Sequence, residues 1–350
     1  MKIKKKIVCF TPWMRFNNLR YESILPEIYI YMHVHKYQIS KLKFIGGLHY
    51  YLWTFLKYKY FYPKYLRKFS QTYDILYTFQ YDQIPFWPKE KEIILDLDDP
   101  VFSDKEIEFI NYPNVKTLIV STDYAKLKYE SLGIKIPIVV IYQGVKGDME
   151  YQVNPDVNQK VIIGYHAPTL STSLDNPSLY RNGVDNLDLF VEALDLLDDT
   201  YKDKITVSLI GKASPSVLQL AKNNKFIKLE GLVASNEVMN YVNKFDIGLY
   251  PRTFILPSGR LSIKIVQYMM LGKPIIATKL SETEIVNNTL SGIICEDASD
   301  FSKALAELID NKNMRDKFGN NGREFAKKYF LLETTINQYK SFFLNYLSIV

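Results

Sequence analysis

The sequence predicts an α/β protein of two consecutive parallel-sheet units, and three observations carry that prediction. Short apolar runs alternate with helical stretches along the chain, the pattern of a parallel sheet covered on both faces. The alternation stops at a polar connector, Gly144 to Lys160 (GVKGDMEYQVNPDVNQK), and then restarts. The length, 350 residues, suits two domains. The expected division is a first domain over 1–150, a second over 151–330, and a closing helix over 331–350.

Taken in order, Lys2–Phe10 (KIKKKIVCF) reads as a first strand ended by Thr11-Pro12. Arg20–Tyr37 reads as a helix started or kinked at Pro26, and Ile39–Ile45 as a second strand closed by Gly46-Gly47. Leu48–Phe69 reads as helix with a break at Pro63. Strands are expected at Ile75–Thr78, Ile93–Leu97, Thr117–Ser121 and Ile138–Ile141, with short helical pieces between them. After the connector come strand Val161–Gly164, helix Asn186–Leu197, strand Thr206–Gly211, helix Ser216–Lys222 and strand Ile227–Glu230. Helix Ser235–Lys244 follows, N-capped by Ser235, then strand Asp246–Leu249, helix Ile263–Leu271 and strand Ile275–Thr278. Helices Phe301–Asn311, Met314–Tyr329 and Glu333–Leu347 end the chain.

The composition, 47% hydrophobic and 23% charged, is ordinary for a globular protein. Cys9 and Cys295 are far apart in apolar runs and read as buried free thiols, which suits a reducing compartment. The apolar run Ile7–Phe10 is too short for a secretory signal, and Lys57, Lys59 and Lys264 interrupt the apolar stretches before about 18 residues accumulate. A cytoplasmic location follows, with the inner face of a membrane as a variant of it. Residues 1–150 carry 22 Lys and Arg against 16 Asp and Glu, so the whole net charge of +6 sits there.

The stretch with most chemistry is Ser258–Thr278, SGRLSIKIVQYMMLGKPIIAT. A loop carrying Gly259, Arg260 and Ser262 feeds a helix that stops at Gly272, and Lys273-Pro274 leads into an apolar strand. A helix N-terminus presents free amides and a positive dipole end to an anion. Lys264 and Arg260 add cations, and the ligand that fits is a phosphate or diphosphate.

This stretch resembles the donor-binding loop and helix of the retaining nucleotide-sugar glycosyltransferases of family 4 (group 1), whose pattern runs roughly K-x-x-E-x-M-A-x-G-x-P-V-I-A-T. Lys264 and the run from Tyr268 to Thr278 match, with Gln267 in place of the Glu. The resemblance implies the GT-B fold, two Rossmann-like domains facing a cleft, with the last helix crossing back to the first domain. It covers the second domain best, roughly Val161–Phe330.

It also implies a donor site. The backbone at Gly231-Leu232-Val233 would lie against the nucleobase. Ser258, Gly259, Ser262 and Ile263 would line the phosphates and sugar, and Gln267 would hold ribose hydroxyls. Arg181, His166 and Lys212 are candidate cations beside Lys264 and Arg260, each with a solvated surface role as its alternative. The departure from the family is the pair of glutamates eight positions apart, which here are Gly259 and Gln267. Gly259 cannot replace a carboxylate. Ser258 or Arg260 would serve the sugar instead, or this branch works without the carboxylate, or activity has been lost.

The implied reaction is glycosyl transfer with retention. Lys264, Arg260 and the helix N-terminus would stabilise the leaving nucleoside diphosphate without a metal. Asp82, following the strand Ile75–Thr78, is the nearest candidate general base. Two further segments leave alternatives open. Asp96-Leu97-Asp98-Asp99-Pro100 is read as a structural turn and helix cap, as cleft or acceptor contacts, or as a divalent-metal motif. Leu48–Phe69 carries Leu48, Leu52, Phe55, Tyr62, Leu66 and Phe69 on one side and Trp53, Lys57, Tyr60, Lys64 and Arg67 on another. It is read as a core helix with a solvated basic face or as a surface for an anionic membrane.

The expected function is transfer of a sugar from a UDP- or GDP-linked donor to a glycan or lipid-linked acceptor in bacterial surface polysaccharide synthesis. No further cofactor, no metal and no nucleic-acid partner are expected. The alternative is a non-catalytic GT-B protein that binds a nucleotide sugar or glycan.

Overall fold

The computed structural model describes residues 5–13, 24, 26–38, 55–145, 160–175, 187–234, 236–252 and 259–349. Its strands form two parallel six-stranded sheets. The first holds β1 (Ile7–Trp13), β2 (Met32–Gln38), β3 (Ile75–Thr78), β4 (Glu92–Leu97), β5 (Val115–Val120) and β6 (Ile138–Val140) in the order β2-β1-β3-β4-β5-β6. The second holds β7 (Val161–Leu170), β8 (Ile205–Ala213), β9 (Ile227–Gly231), β10 (Ile247–Tyr250), β11 (Ile275–Thr278) and β12 (Gly292–Cys295) in the order β12-β11-β10-β7-β8-β9. Helices α1 (Tyr62–Ser70), α2 (Asp104–Ile110) and α3 (Asp123–Ser131) belong to the first half. The second half carries α4 (Asp188–Leu196), α5 (Asp199–Lys202), α6 (Pro215–Asn223), α7 (Val238–Val242), α8 (Ile263–Met270), α9 (Glu284–Asn288), α10 (Ala298–Asp310) and α11 (Lys312–Tyr329). The final helix is α12 (Leu332–Ile349).

The chain divides into two compact units. One is Met1–Gly144 with Ser258–Arg260 and Leu332–Val350, and the other is Val145–Pro257 with Leu261–Leu331. The helix α12 therefore packs with the first unit.

Each sheet is buried on both faces, which explains the near-continuous apolar strands. In the first unit Leu76, Ile93, Leu95 and Leu118 pack against Tyr62, Leu66, Ile110 and Tyr129 of α1–α3. Their alternates Ile75, Tyr77, Ile94 and Ile119 pack against Tyr339 and Phe343 of α12. In the second unit Tyr165, Val207, Leu249 and Ile276 meet Phe190 of α4 and Phe301 and Leu305 of α10. Cys9 and Cys295 are buried thiols outside any disulfide, and burial first, then Asp300 and Asp297, pushes the Cys295 thiol up to about 12.

Three readings of the sequence change, and one cannot be compared. The helix expected over Arg20–Tyr37 gives way to β2 at Met32, because Met32–Gln38 pairs residue for residue with Ile7–Trp13 of β1. The strand expected at Ile39–Ile45 lies outside the described residues. Pro63 does not break its helix: it sits in the first turn of α1, directly after a π-helical turn, Lys57–Phe61. The wider turn accommodates a residue with no N–H to donate. Finally, β12 was not anticipated. Four residues are too few to show a period, and the strand is defined by its pairing with β11, from Ile275 opposite Gly292 to Thr278 opposite Cys295.

The helix α8 ends as its sequence dictates. Gly272 takes a left-handed φ of 60°, so the Gly272 amide donates to the Met269 carbonyl (3.0 Å) and the Lys273 amide to the Tyr268 carbonyl (2.9 Å). Lys273 then points inward, and its Nζ donates to the Asn243 carbonyl at 2.6 Å. Burial lowers its ammonium pKa to about 8, against an upward pull from Asp246 and with a further push down from Arg323. The folded pKa lies below the unfolded one, so the cost of burying the charge is fully present at pH 7. It is relieved as pH rises from about 8 toward 10.5, where the unfolded state binds the extra proton. Denaturant midpoints at pH 7.5, 8.5 and 9.5 are expected to show stability rising by up to about 1.4 kcal/mol per pH unit relative to Lys273→Met, which lacks this term. Parallel pH profiles for the two proteins would refute the assignment.

Candidate functional site

In an open parallel sheet, ligands bind outside the C-terminal ends of the strands, where the strand order reverses. The second sheet reverses between β7 and β10. The helix α8 starts from the loop that follows β10. Ile265, Val266, Tyr268 and Met269 bury one side of α8, leaving Lys264 and Gln267 half-exposed on the other. Ser262 holds the N-cap position with extended backbone (φ −71°, ψ 126°), yet its side chain makes no capping bond. An uncapped first turn presents its amides to whatever lies beyond it.

The strand β7 and the helix α8 meet side by side. Lys264 Nζ lies 5.8 Å from the centroid of the Tyr165 ring. One turn further on, the Tyr268 ring meets the buried His166 edge-on at 5.6 Å. The structure thus places Ser262, Ile263, Lys264 and Gln267 together on the start of α8, with His166 against Tyr268 on its buried side. Gln267 adds a second signal, because its Oε1 is buried and has no hydrogen-bond partner among the described residues. Such an acceptor needs a donor.

Other candidates sit further along the same sheet. Lys212 is exposed near the end of β8, opposite Thr169 of β7. Gly231 closes β9, the edge strand, and Leu232 beside it is 71% exposed. Arg181 and Ser258 lie outside the described residues, as does Ser235. The loop after β7 is pinned where it leaves the strand. Burial tends to raise the Asp175 carboxyl pKa, but bonds from Ser214, Ser216 and the Thr172 and Ser216 amides hold it well below the usual range. Asp188 accepts from the amide (2.9 Å) and hydroxyl (3.0 Å) of Ser173.

A buried ionic group that the sequence did not reveal lies at the C-terminal ends of β10 and β11. Glu282 Oε1 accepts from Tyr250 Oη at 2.6 Å and lies 3.5 Å from Arg252 Nη1. Thr278 Oγ1 rests against the Tyr250 and Arg252 carbonyls. Arg252 was legible only as a basic residue after Tyr-Pro, and Glu282 carried no motif at all.

Gly259 and Arg260 fall with the first unit. There Gly259 accepts a bond from Thr122 Oγ1 (2.7 Å), and its own amide donates to the Pro100 carbonyl (3.4 Å). A Cβ at this position would stand 2.7 Å from Phe102 Cζ and 2.8 Å from Pro100 Cγ. The backbone approaches too closely for any side chain, so the absent carboxylate reflects packing as well as chemistry. Arg260 is half-buried.

Asp82 borders a cavity of about 340 Å³ at the C-terminal ends of β3 and β4, with Phe79, Tyr81, Asp98, Asp99 and Glu106. Its Oδ2 accepts from Lys57 Nζ at 2.7 Å and Tyr58 Oη at 2.8 Å, and Oδ1 lies 3.4 Å from Tyr62 Oη. These donors occupy the lone pairs a general base would use. The acidic run after β4 resolves into separate roles. Asp96 is buried and accepts from Tyr77 Oη (2.5 Å) and from Tyr339 Oη of α12 (2.6 Å). The cap of α2 is Ser103, not an aspartate of this run. Glu106 holds the turn in place through the Val101 and Phe102 amides and Tyr129 Oη, while burial raises its carboxyl pKa. Among the described residues no cluster of His, Cys, Asp and Glu suits a metal ion.

Residues 178–311 match the family model described as "Glycosyl transferases group 1". A protein of Methanocaldococcus jannaschii described as "Uncharacterized glycosyltransferase MJ1178" is 27% identical over 62% of this chain and 56% of its own. The chain thus spans about half the length of that curated relative. A crystal structure of Anabaena Alr3699/HepE in complex with UDP superposes with a TM-score of 0.69 at 14% identity, covering 97% of this chain and 100% of that one. Sucrose-phosphate synthase from Thermosynechococcus elongatus gives 0.69 at 12% identity, over 99% and 100% of the two chains. The fold is therefore GT-B, and the resemblance to the group 1 glycosyltransferases, read first from Lys264 to Thr278, is borne out by a match that spans this helix and strand.

Proposed function

We propose that the chain transfers a glycosyl group from a nucleotide sugar to a glycan or lipid-linked acceptor. The observation that carries this reading is the start of α8: an uncapped helix N-terminus, a cation one residue in, and an orphan acceptor at Gln267 one turn further. A nucleoside diphosphate answers all three. Its phosphates take the helix amides and Lys264, and its ribose takes Gln267. The HepE structure that shares this fold holds UDP, which favours a UDP-linked donor, with a GDP-linked one as the other candidate. Protein cations and helix amides can meet the charge of the leaving diphosphate, so we read the reaction as metal-independent. Retention of configuration is proposed on family resemblance.

The acceptor side is proposed for the first unit, where the cavity beside Phe79 and Tyr81 offers rings and carboxylates suited to sugar hydroxyls. No described helix is long and apolar enough to cross a membrane. The exposed side of residues 55–68 carries Phe55, Tyr60, Lys59, Lys64, Arg67 and Lys68, with no acid among them. We propose that this face rests on an anionic membrane at its cytoplasmic side, where a lipid-linked acceptor in surface polysaccharide synthesis would be met. The one observation favouring binding without turnover is Gly259, whose surroundings leave no room for the family's carboxylate.

The test is thermal stability against UDP-, GDP-, ADP- and dTDP-sugars, with and without EDTA, followed by turnover with the donor that binds. A donor at 100 times its dissociation constant is expected to add about 2.7 kcal/mol, unaffected by EDTA. No shift with any donor would sink the nucleotide-sugar reading. A shift without turnover on any acceptor would favour the binding protein.

A further inference from the structure

The helix α12 presents two faces to the first unit. Thr335, Tyr339 and Phe343 recur every fourth residue and are buried. Thr335 Oγ1 donates to the Tyr142 carbonyl (3.0 Å), Tyr339 to Asp96, and the Phe343 ring stacks on Tyr31 at 5.9 Å. These contacts fix the rotation of the helix. The neighbouring stripe is Thr334, Asn337, Gln338, Ser341 and Asn345, whose spacing puts all five on one side. That side lines a groove of about 910 Å³. The facing wall is the open end of the sheet, with Thr117 of β5 and Pro137 and Val139 at the edge strand β6. The groove runs along the edge strand β6 to Ile141 and reaches the first residues of β4 and β5, so most of it lies away from the crevice at the C-terminal ends of the central strands.

Three features define what it would take. The stripe carries hydroxyls and neutral amides where a solvated helix face usually carries charges. At the rim, Glu92 is held by Lys5 Nζ (2.6 Å) and Tyr346 Oη (3.1 Å), and the other charged lining residue, Lys116, donates to the Pro113 carbonyl, so the charges sit at the edge and are partnered. Gln338 Oε1 is buried and has no hydrogen-bond partner among the described residues. It calls for a donor from outside the fold. The remaining surface is apolar, with Phe342 beside Pro137 and Val139, and a mainly apolar pocket with a few placed polar groups is the usual build of a ligand site.

We propose that this groove is a subsite for an uncharged glycan chain, holding a part of the acceptor away from the reacting end. Sugar rings supply both chemistries at once: hydroxyls that donate to the amide oxygens, and C–H faces that lie on the apolar wall. An acyl chain would leave Gln338 Oε1 unpaired. Among the described residues an anionic chain would meet Lys116 in the lining but no cluster of cations. The proposal rests on the glycan-acceptor reading above, and its test separates the two.

Calorimetric titration with maltopentaose, cellopentaose and N-acetylchitopentaose would be run on the full chain, on Gln338→Leu and on Ser341→Trp, whose indole fills the groove from its exposed rim. At least one pentasaccharide is expected to bind, about tenfold more weakly to each variant, equal to about 1.4 kcal/mol. The nucleotide-sugar shift is expected to be unchanged in both. The Gln338→Leu protein is also expected to melt at or above the wild-type temperature without ligand, because an orphan buried acceptor has been removed. Binding by none of the three sugars overturns the proposal. Equal binding by all three proteins overturns it too, while leaving the glycan-acceptor reading intact. Binding of dodecanoate in place of the sugars, blocked in Ser341→Trp, would assign the groove to an acyl chain and end the glycan assignment. Loss of the nucleotide-sugar shift in wild type bears only on the transferase reading.

Discussion

Replacing Glu282 by alanine is expected to cost about 3–5 kcal/mol of stability, because it removes the charge facing a buried guanidinium and the acceptor of a buried hydroxyl. Arg252 is 7% exposed and Glu282 4%. The carboxylate lies 3.5 Å from Arg252 Nη1 and accepts the Tyr250 hydroxyl at 2.6 Å, so its loss removes the facing charge and a hydrogen-bond acceptor together. Leaving a buried charge uncompensated is far worse than removing the pair, since each ion is desolvated whether or not its partner remains. Two comparisons isolate that effect. Glu282→Gln keeps an acceptor for Tyr250 but loses the charge, and is expected to fall between wild type and alanine. The double replacement Arg252→Met with Glu282→Leu is expected to recover most of the loss. Urea unfolding of the four proteins gives the comparison. A Glu282→Ala protein within about 1 kcal/mol of wild type would show that solvent reaches Arg252 and that the pair is a surface pair in effect. The location gives the prediction a functional side. Tyr250 ends β10 at the reversal of the second sheet, so disordering this group is expected to blur the crevice where the donor is proposed to bind.

How much of this could be read from the sequence depends on the range of the interactions involved. Period and punctuation are local. Ile275–Thr278 appears in the structure with the same bounds, and the helix ending at Gly272-Lys273-Pro274 stops where glycine and proline say it must. The parallel, doubly covered sheets followed from apolar runs such as Ile93-Ile94-Leu95. What the sequence hid was made by partners distant in the chain. Met32–Gln38 carries a pattern that suits a helix until β1 offers seven residues to pair with. The acidic run at Asp96 looked like a turn or an ion site because nothing nearby announces Tyr339, which is 243 residues away. Asp82 was chosen as the nearest carboxylate to a strand end, and the structure surrounds it with Lys57, Tyr58 and Tyr62 from the preceding helix. Lys57 had been read on the solvated side of that helix, and Phe55 on its buried side, where it is 53% exposed. The π-helical turn before Pro63 shifts the phase of the residues ahead of it, which a fixed period of 3.6 cannot anticipate.

Lys264→Ala is expected to abolish the donor-induced stabilisation while leaving the unliganded protein as stable as wild type. The two outcomes have separate causes. A cation in the first turn of a helix opposes the macrodipole and costs about 0.3–1 kcal/mol. The Tyr165 ring, 5.8 Å from Lys264 Nζ, returns a similar amount through its π face. These two contributions nearly cancel, and truncating the half-exposed side chain is expected to change the stability of the empty protein by less than about 1 kcal/mol. With a diphosphate bound, the sign of the first contribution reverses, because the anion shields the dipole and pairs with the ammonium. Loss of Lys264 then removes a charge that acts most strongly as the leaving group gains negative charge. Turnover is expected to fall by about 10²–10³-fold, the usual loss when one preorganised group facing developing charge is removed. Lys264→Arg is expected to keep most of the binding and part of the rate, since it preserves the charge but not its point-like position. Paired melting curves and initial rates on the three proteins decide the matter. If Lys264→Ala lowers the stability of the empty protein by 2 kcal/mol or more and keeps the donor shift, the lysine is part of the packing between β7 and α8, and the phosphates are held elsewhere.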